Sequence, residues 1–467
     1  MTEILALLQN IAPLLEAVNF RQMSQIIFAM LVISGRITML GLSRWADKGG
    51  SYRTIQRWYH TRFPWEMMHW TLFSKSLLKQ SDEYIIAGDE TVIGKAGKET
   101  HGLDRFFSGL KKQVIPGLSF FVFSLVSVEE EHSYPLEITQ VVKSAEEKAA
   151  SKAKKEAQKA KKSEGKRKPG RPKGSKNKVK SESVVLNPEL LRIQQAIRNL
   201  LKIVRTILSL KYVVLDGHFG NYPSAFMVKS ENLDLISKMR SDAALYEPAE
   251  GEQTGPGRPK KYGKKVDVSK MDEKYLKATS TKDNLRTDIY QGTLYNKEFA
   301  FALNVVIILK TNLLTQAQAH VILFSTDLKL DYEKLIKFYS LRFQIEFNFR
   351  DAKQYWGLED FMNIKETAVT NAVNLSFFMV NFSHGLLQPH RKKTQDFSVL
   401  DLKSHYRGYR YACETIKMLP DIVPMLLREK PDGILHRPGV PSGLADIFQN
   451  IARLGAIHAV SSTADSP

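Results

Sequence analysis

Five side chains between Tyr339 and Lys353 have the types and the spacing to work on a phosphate. A helix over residues 331–356, wound at about 100° per residue, brings Arg342, Glu346, Arg350 and Lys353 within roughly 60° of Tyr339. Phe338, Leu341, Ile345, Phe349, Ala352 and Trp356 form an apolar band on one side of this stripe, and Ile336, Phe343 and Phe347 lie on the other. One carboxylate among several bases, fenced by large hydrophobes, suits a cleft that also holds a strong anion. The plain alternative is a surface ladder, Arg342–Glu346–Arg350, of i,i+4 ion pairs.

Acid chemistry on phosphate needs further carboxylates, delivered from stiff strand ends. Two segments offer them. In YIIAGDET an apolar run from Tyr84 to Ala87 ends in Gly88 and Asp89, and in KYVVLDGHFGNY a run from Tyr212 to Leu215 ends in Asp216 and Gly217. Both read as buried strands with an Asp at the carboxyl end, where open α/β sheets place their sites. An ordinary turn Asp is the competing reading for either one alone. Asp89, Asp216 and Glu346 together are enough to hold two Mg²⁺ ions, one activating a water or 3′-hydroxyl and the other stabilising the leaving oxygen of a phosphodiester. Zinc has no comparable donor set, because Cys413 is the only cysteine.

Tyr339, two residues, Arg342, three residues, Glu346, six residues, Lys353 is the Y-(2)-R-(3)-E-(6)-K spacing, and with it the chain resembles DDE transposases of the bacterial insertion-sequence-4 type. GDET around Asp89 is similar to that family's first-acid segment and LDGHFGN around Asp216 to its second. The resemblance runs from about Tyr84 to Gln388. It implies an α/β chain with a ribonuclease-H-like mixed sheet core, a β-rich insertion, and an N-terminal helical DNA-binding domain. It implies Asp89, Asp216 and Glu346 as catalytic metal ligands for two Mg²⁺ ions, with Mn²⁺ able to substitute. Tyr339, Arg342 and Lys353 would then contact the transposon-end DNA. Arg350 is outside the signature and joins them as a further candidate contact.

Composition points the same way. At 467 residues and 43% apolar content the chain holds two or three domains with ample core, and a formal charge of +19 asks for a polyanionic partner. The most apolar N-terminal stretch, residues 26–42, is interrupted by Arg36 and is too short and polar to span a bilayer. MTEILALLQNIAPLLEAV lacks the basic opening of a secretory signal. With a single cysteine, these features suggest a bacterial cytoplasmic protein at the nucleoid, with no membrane partner.

Residues 1–80 read as helices. GLSRWA, a glycine turn and SYRTIQRWYH resemble a helix-turn-helix, with Ser51 as N-cap and Arg53 and Arg57 presented to DNA. A small bundle with basic residues facing water is the alternative. Residues 81–143 read as the first part of the core, with strands at 118–128 and 134–142. Residues 144–183 are a basic low-complexity loop whose Gly170-Arg171-Pro172 is similar to an AT-hook, although Pro169 stands where a hook carries Arg. The core resumes over 184–242, opened by an Asn187–Pro188 cap. Residues 243–297 read as the β-rich insertion, bringing Arg258, Lys260 and Lys261 to DNA. Residues 298–388 complete the core with the Glu346 helix, and 389–467 form a C-terminal helical region suited to dimerisation.

The function this predicts is cut-and-paste DNA transposition: Mg²⁺-dependent cleavage at the transposon ends, then strand transfer by the freed 3′-hydroxyl. The partners would be double-stranded DNA, as terminal inverted repeats and target, and a second copy of the chain in the paired-end complex. The alternative is a transposase-derived DNA-binding protein that no longer cuts. A stand-alone nuclease is a third reading, against which the helix-turn-helix and the Tyr339–Lys353 stripe both weigh.

Overall fold

The structure, a computed structural model, describes residues 2–46, 50–109, 111–149, 153, 156, 184–249, 260–392 and 394–418. Arg171 and Arg258 lie outside the described residues, as do most of the low-complexity loop and the chain beyond 418. In chain order the helices are α1 (Thr2–Gln9), α2 (Ala17–Val32), α3 (Met39–Trp45), α4 (Tyr52–Tyr59), α5 (Trp65–Ser76), α6 (Pro188–Val204), α7 (Tyr222–Ser230), α8 (Tyr332–Leu341), α9 (Gln344–Gln354), α10 (Glu366–Arg391) and α11 (Val399–Met418). The strands are β1 (Tyr84–Gly94), β2 (Asp104–Ser108), β3 (Gln113–Ser127), β4 (Ser133–Gln140), β5 (Tyr212–Val214), β6 (Asp234–Lys238), β7 (Leu245–Pro248), β8 (Tyr262–Lys265), β9 (Leu276–Lys282), β10 (Leu285–Asn296), β11 (Leu303–Asn312) and β12 (Gln318–Ser325). They fall into two units: Met1–Gln80 with Ile93–Leu103 and Phe347–Pro467, and Ser81–Val92 with Asp104–Glu346.

The first unit is helical. Ser51 caps α4 by accepting from the Thr54 amide, as its position before the apolar-periodic run requires. α10 is the central helix, burying residues on every side from Ala368 to Leu387. A helix apolar all round needs its polar residues satisfied internally. Asn371 meets that demand: its Oδ1 accepts from Trp65 Nε1 at 2.7 Å, and its Nδ2 donates to the carbonyls of Tyr59 and Thr61. No described helix is long and apolar enough to cross a membrane.

A mixed sheet forms the second unit, with order β2-β3-β1-β5-β6-β12-β11-β10-β7-β8, β4 on β3 and β9 on β10. β3 is long enough to pair with β2 over Gln113–Gly117 and with β4 over Phe120–Val126. β1, β5 and β6 are parallel, with Ile86 opposite Val213 and Val213 opposite Leu235. This α/β arrangement, β4-β3-β1-β5-β6 with α6 packed against β3 and β4, is consistent with a ribonuclease-H-like core. From β6 the same sheet continues antiparallel through β12, β11 and β10.

The core explains why α8 lies where it does. Leu335, Phe338 and Leu341, spaced three apart, pack on Ala87 of β1, Val214 of β5 and Ile236 of β6. Each such burial contributes roughly 1.5–3 kcal/mol. Together they fix the end of α8, and so the backbone of Arg342 just beyond it.

Two sequence expectations change. Residues 331–356 do not form one helix: α8 ends at Leu341 and α9 begins at Gln344. Around the break the bonds tighten to an i→i−3 pattern, Phe343 to Ser340, Ile345 to Arg342 and Glu346 to Phe343. The apolar fence is complete on one side only. Phe338, Leu341, Ile345, Phe349, Ala352 and Trp356 are buried; on the other side Ile336 is partly buried against the core, whereas Phe343 and Phe347 are exposed.

Candidate active site

Asp89 stands inside β1 rather than past its end, because the strand runs on to Gly94 with Thr91 and Ile93 still facing the interior. From Asp89 onward the burial falls on alternate residues, and Asp89 shares the face of Thr91 and Ile93, which keeps its carboxylate half-buried where it lines a cleft. Gly88 before it is required by close packing. A Cβ there would come 2.6 Å from the Phe123 ring and 2.8 Å from Leu215 Cδ2.

Asp216 follows β5 as its run predicts. Its Oδ1 accepts from the His218 amide at 3.0 Å, capping a short 3₁₀ turn over Gly217–Phe219. Ser237 Oγ donates to the Asp216 carbonyl at 2.7 Å, tying the loop to β6. Asp89 and Asp216 line one cleft of about 670 Å³.

Arg342 joins the acids. Its Nη1 lies 2.7 Å from Asp89 Oδ2, and its Nη2 lies 3.7 Å from Glu346 Oε1. The second contact is the ladder pair expected along the helix. The first, across 253 residues of sequence, is not. Burial pushes the Asp89 carboxyl above its ordinary range; Arg342 opposes that rise and Asp216 adds to it. Glu346 is raised too, first by desolvation, with Arg342 opposing and Asp89 adding. Burial likewise raises the Tyr339 phenol, which feels Arg342, Asp216 and Asp89 in turn. Tyr339, Arg342, Asp89, Asp216 and Glu346 thus share one electrostatic neighbourhood in the second unit.

The other candidates have their own surroundings. In the first unit Lys353 faces Glu359 at 3.7 Å. Arg350 pairs with Asp351 at 2.9 Å and lies 4.8 Å from the Phe347 ring centre. Arg53 and Arg57 are exposed on α4, linked by Arg57 Nε donating to the Arg53 carbonyl. In the second unit Lys260 is exposed, and Lys261 donates to the Ala300 carbonyl with its ammonium 5.3 Å from the Tyr295 ring centre.

Sequence reasoning passed over the far wall of the cleft. Arg105, Phe106 and Phe107 of β2 line it, with Lys143 and Arg192. Phe107 is 64% exposed. Lys143 sits 3.5 Å from Asp104 and 4.5 Å from the Phe106 ring centre, and Arg192 pairs with Glu147 at 2.9 Å. A five-residue strand with two adjacent Phe carries too little periodicity to announce itself.

Among the described residues no three His, Cys, Asp or Glu side chains stand grouped to hold a metal ion together. The donors nevertheless fit a hard divalent cation in kind. They are carboxylate oxygens only, with Asp216 and Glu346 each coupled to Asp89, and the cation beside Asp89 and Glu346 is a guanidinium.

Residues 11–293 match the sequence profile of the DDE superfamily endonucleases, more than half of the chain, and the chain belongs to that family. Membership implies DNA as substrate and DNA cleavage of the transposase kind. The matched span contains Asp89 and Asp216 and stops before Glu346. No curated protein matches the chain.

Proposed function

We propose that this DDE endonuclease is an insertion-sequence transposase of the Y-R-E-K type. It would cleave DNA at the ends of its own element and join the freed 3′ ends to a target. The observation that carries the reading is Arg342, which bonds Asp89 inside the matched span and reaches Glu346 beyond it. That bridge supports treating Asp89, Asp216 and Glu346 as one catalytic set.

In this reading Asp89, Asp216 and Glu346 would hold two Mg²⁺ ions, or Mn²⁺ in their place. Bound there, the ions supply Lewis acidity to the scissile phosphate and a lowered pKa to the attacking water or 3′-hydroxyl. Arg342 and Tyr339 neutralise and orient the phosphate, and Lys353 and Arg350 are further DNA contacts. The water oxygen bonds to phosphorus as the 3′ oxygen departs; that 3′ oxygen later attacks a target phosphate, so no protein nucleophile takes part. The helices of residues 1–80, with Arg53 and Arg57, read the terminal repeats. Lys260 and Lys261, with Arg258 and Arg171, track the backbone. Two copies of the chain bring two ends together at the bacterial nucleoid, with residues 389–467 suited to that contact.

The test is cleavage of a supercoiled donor plasmid carrying the element's own two ends, with Mg²⁺, by the wild type and Glu346→Gln. The expected result is end-specific cutting by the wild type and at least about a thousandfold less by the variant, about 4 kcal/mol of lost transition-state stabilisation. DNA binding should survive the substitution. Specific binding without cutting by either protein would make the chain a non-cleaving DNA binder instead.

A further inference from the structure

Both oxygens of the Asp89 carboxylate are already engaged. Oδ1 accepts from the Glu90 amide at 2.8 Å, and Oδ2 accepts from Arg342 at 2.7 Å. The Arg342 side chain is only 15% exposed, so water screens its charge poorly. A divalent cation on Oδ2 would stand within about 4–5 Å of that guanidinium, given metal–oxygen distances of about 2.1 Å. Two like charges so close in a half-buried cleft repel strongly. Ion and arginine therefore compete for the same carboxylate.

We propose that Arg342 is an internal counter-ion that holds Asp89 until a DNA phosphate draws it away, so that divalent-cation binding at the acids follows DNA binding. The proposal rests on the catalytic reading above and adds an order of assembly to it. Three features support the exchange. Arg342 lies at the break between α8 and α9, a position outside either helix. Its contact with Glu346, at 3.7 Å, is too long for a hydrogen bond, and its remaining partner, the Tyr339 hydroxyl, is neutral. A phosphate offers the guanidinium a paired, charge-assisted contact of the same geometry as a carboxylate, so the exchange trades like for like. In this arrangement Arg342 is a positioning residue for the ion, and in the ion-free site it offsets only part of the repulsion among the acids.

The experiment titrates Mn²⁺ into the full chain and follows free Mn²⁺ by electron paramagnetic resonance. The proteins are wild type, Arg342→Gln, Arg342→Lys, Asp89→Asn and the Asp89→Asn/Arg342→Gln double variant. Without DNA, Arg342→Gln should bind Mn²⁺ between about 5- and 150-fold more tightly than wild type, the usual span for coupled sites, with Arg342→Lys between them. A short duplex should strengthen Mn²⁺ binding by the wild type, after Asp89→Asn with the same duplex is subtracted to remove ions held by DNA. By reciprocity Mn²⁺ should tighten duplex binding by the wild type by the same factor, and by less in Arg342→Gln.

Equal Mn²⁺ affinity in wild type and Arg342→Gln, with binding lost in Asp89→Asn, would overturn the gate and leave the metal site standing. A double variant that binds as tightly as Arg342→Gln would place the ion away from Asp89 and remove both. Should Arg342→Gln melt early, the wild-type arm decides alone, and a duplex that leaves Mn²⁺ affinity unchanged overturns the proposal.

Discussion

The loop after α9 and the acids of the second unit handle charge in opposite ways. In the loop, Asp360 and the backbone carbonyls hold their charged partners for structure. Lys95 donates to the carbonyls of Phe361 at 2.7 Å and Glu359 at 3.1 Å, with its ammonium 3.6 Å from the Phe361 ring centre. Asp360 accepts from Arg36 Nε at 3.2 Å and from the Ile37 amide at 2.9 Å. Lys403 donates to the Tyr355 carbonyl at 3.1 Å. Gly357 turns the chain at φ +74°, with Ile37 so near that a Cβ would lie 2.6 Å away. Around Asp89 the balance is different: Glu346 shares one guanidinium with it, Asp216 adds a like charge nearby, and burial raises both Asp89 and Glu346. A satisfied network holds a fold together, whereas crowded like charges store repulsion that a ligand can relieve. The difference separates scaffold from site without appeal to motif.

The comparison can be broken first where the scaffold is most sensitive. His69 is fully buried in the first unit, and burial lowers its pKa to about 4, outweighing the polar side chain of Asn374 beside it. Its folded value lies below its unfolded one, so the unfolded chain takes up the proton first. The stability contributed by the neutral ring is complete above about pH 6.5 and drains away as pH falls toward 4, by up to about 3 kcal/mol. Urea melts across that range should show the loss, and His69→Phe, which keeps a ring beside Trp65 and Phe378, should flatten it. His384, also lowered to about 4, leaves a residual slope. A variant curve parallel to the wild type would show that the interior tolerates charge after all.

A smaller effect is expected at Asp360. Asp360→Ala removes the partner of Arg36 and of the Ile37 amide and should cost about 1–2 kcal/mol, because the half-buried amide is left without its acceptor. Chemical denaturation would read it. No loss would mean that the loop is held by Lys95 and Gly357 alone.

What the sequence made legible follows from the range of each signal. The apolar runs Tyr84–Ala87 and Tyr212–Leu215, the Ser51 and Asn187 caps, and the apolar band from Phe338 to Trp356 are local patterns, and each corresponds to a described element or buried face. The extension of β1 past Asp89 was hidden because Asp-Glu-Thr reads as the end of a strand while its alternation is only beginning. The break after Leu341 was hidden because Arg342 and Phe343 are ordinary helix residues, and only the switch to i→i−3 bonds marks it. The contact of Arg342 with Asp89 and that of Lys95 with Phe361 join residues more than 250 apart, beyond the reach of any periodicity. The same holds for the extension of the sheet through β12, β11 and β10.

The central claim is that the acids are arranged for a ligand at the expense of stability, and calorimetric melting of Asp89→Asn beside the wild type tests it most directly. Removing one of three crowded carboxylates relieves repulsion and desolvation while an amide oxygen still accepts from Arg342. The account predicts that the variant melts at or slightly above the wild-type Tm while no longer cutting DNA. A fall of several degrees, of the size expected for Asp360→Ala, would mean that Asp89 is scaffold like Asp360 and would contradict the account.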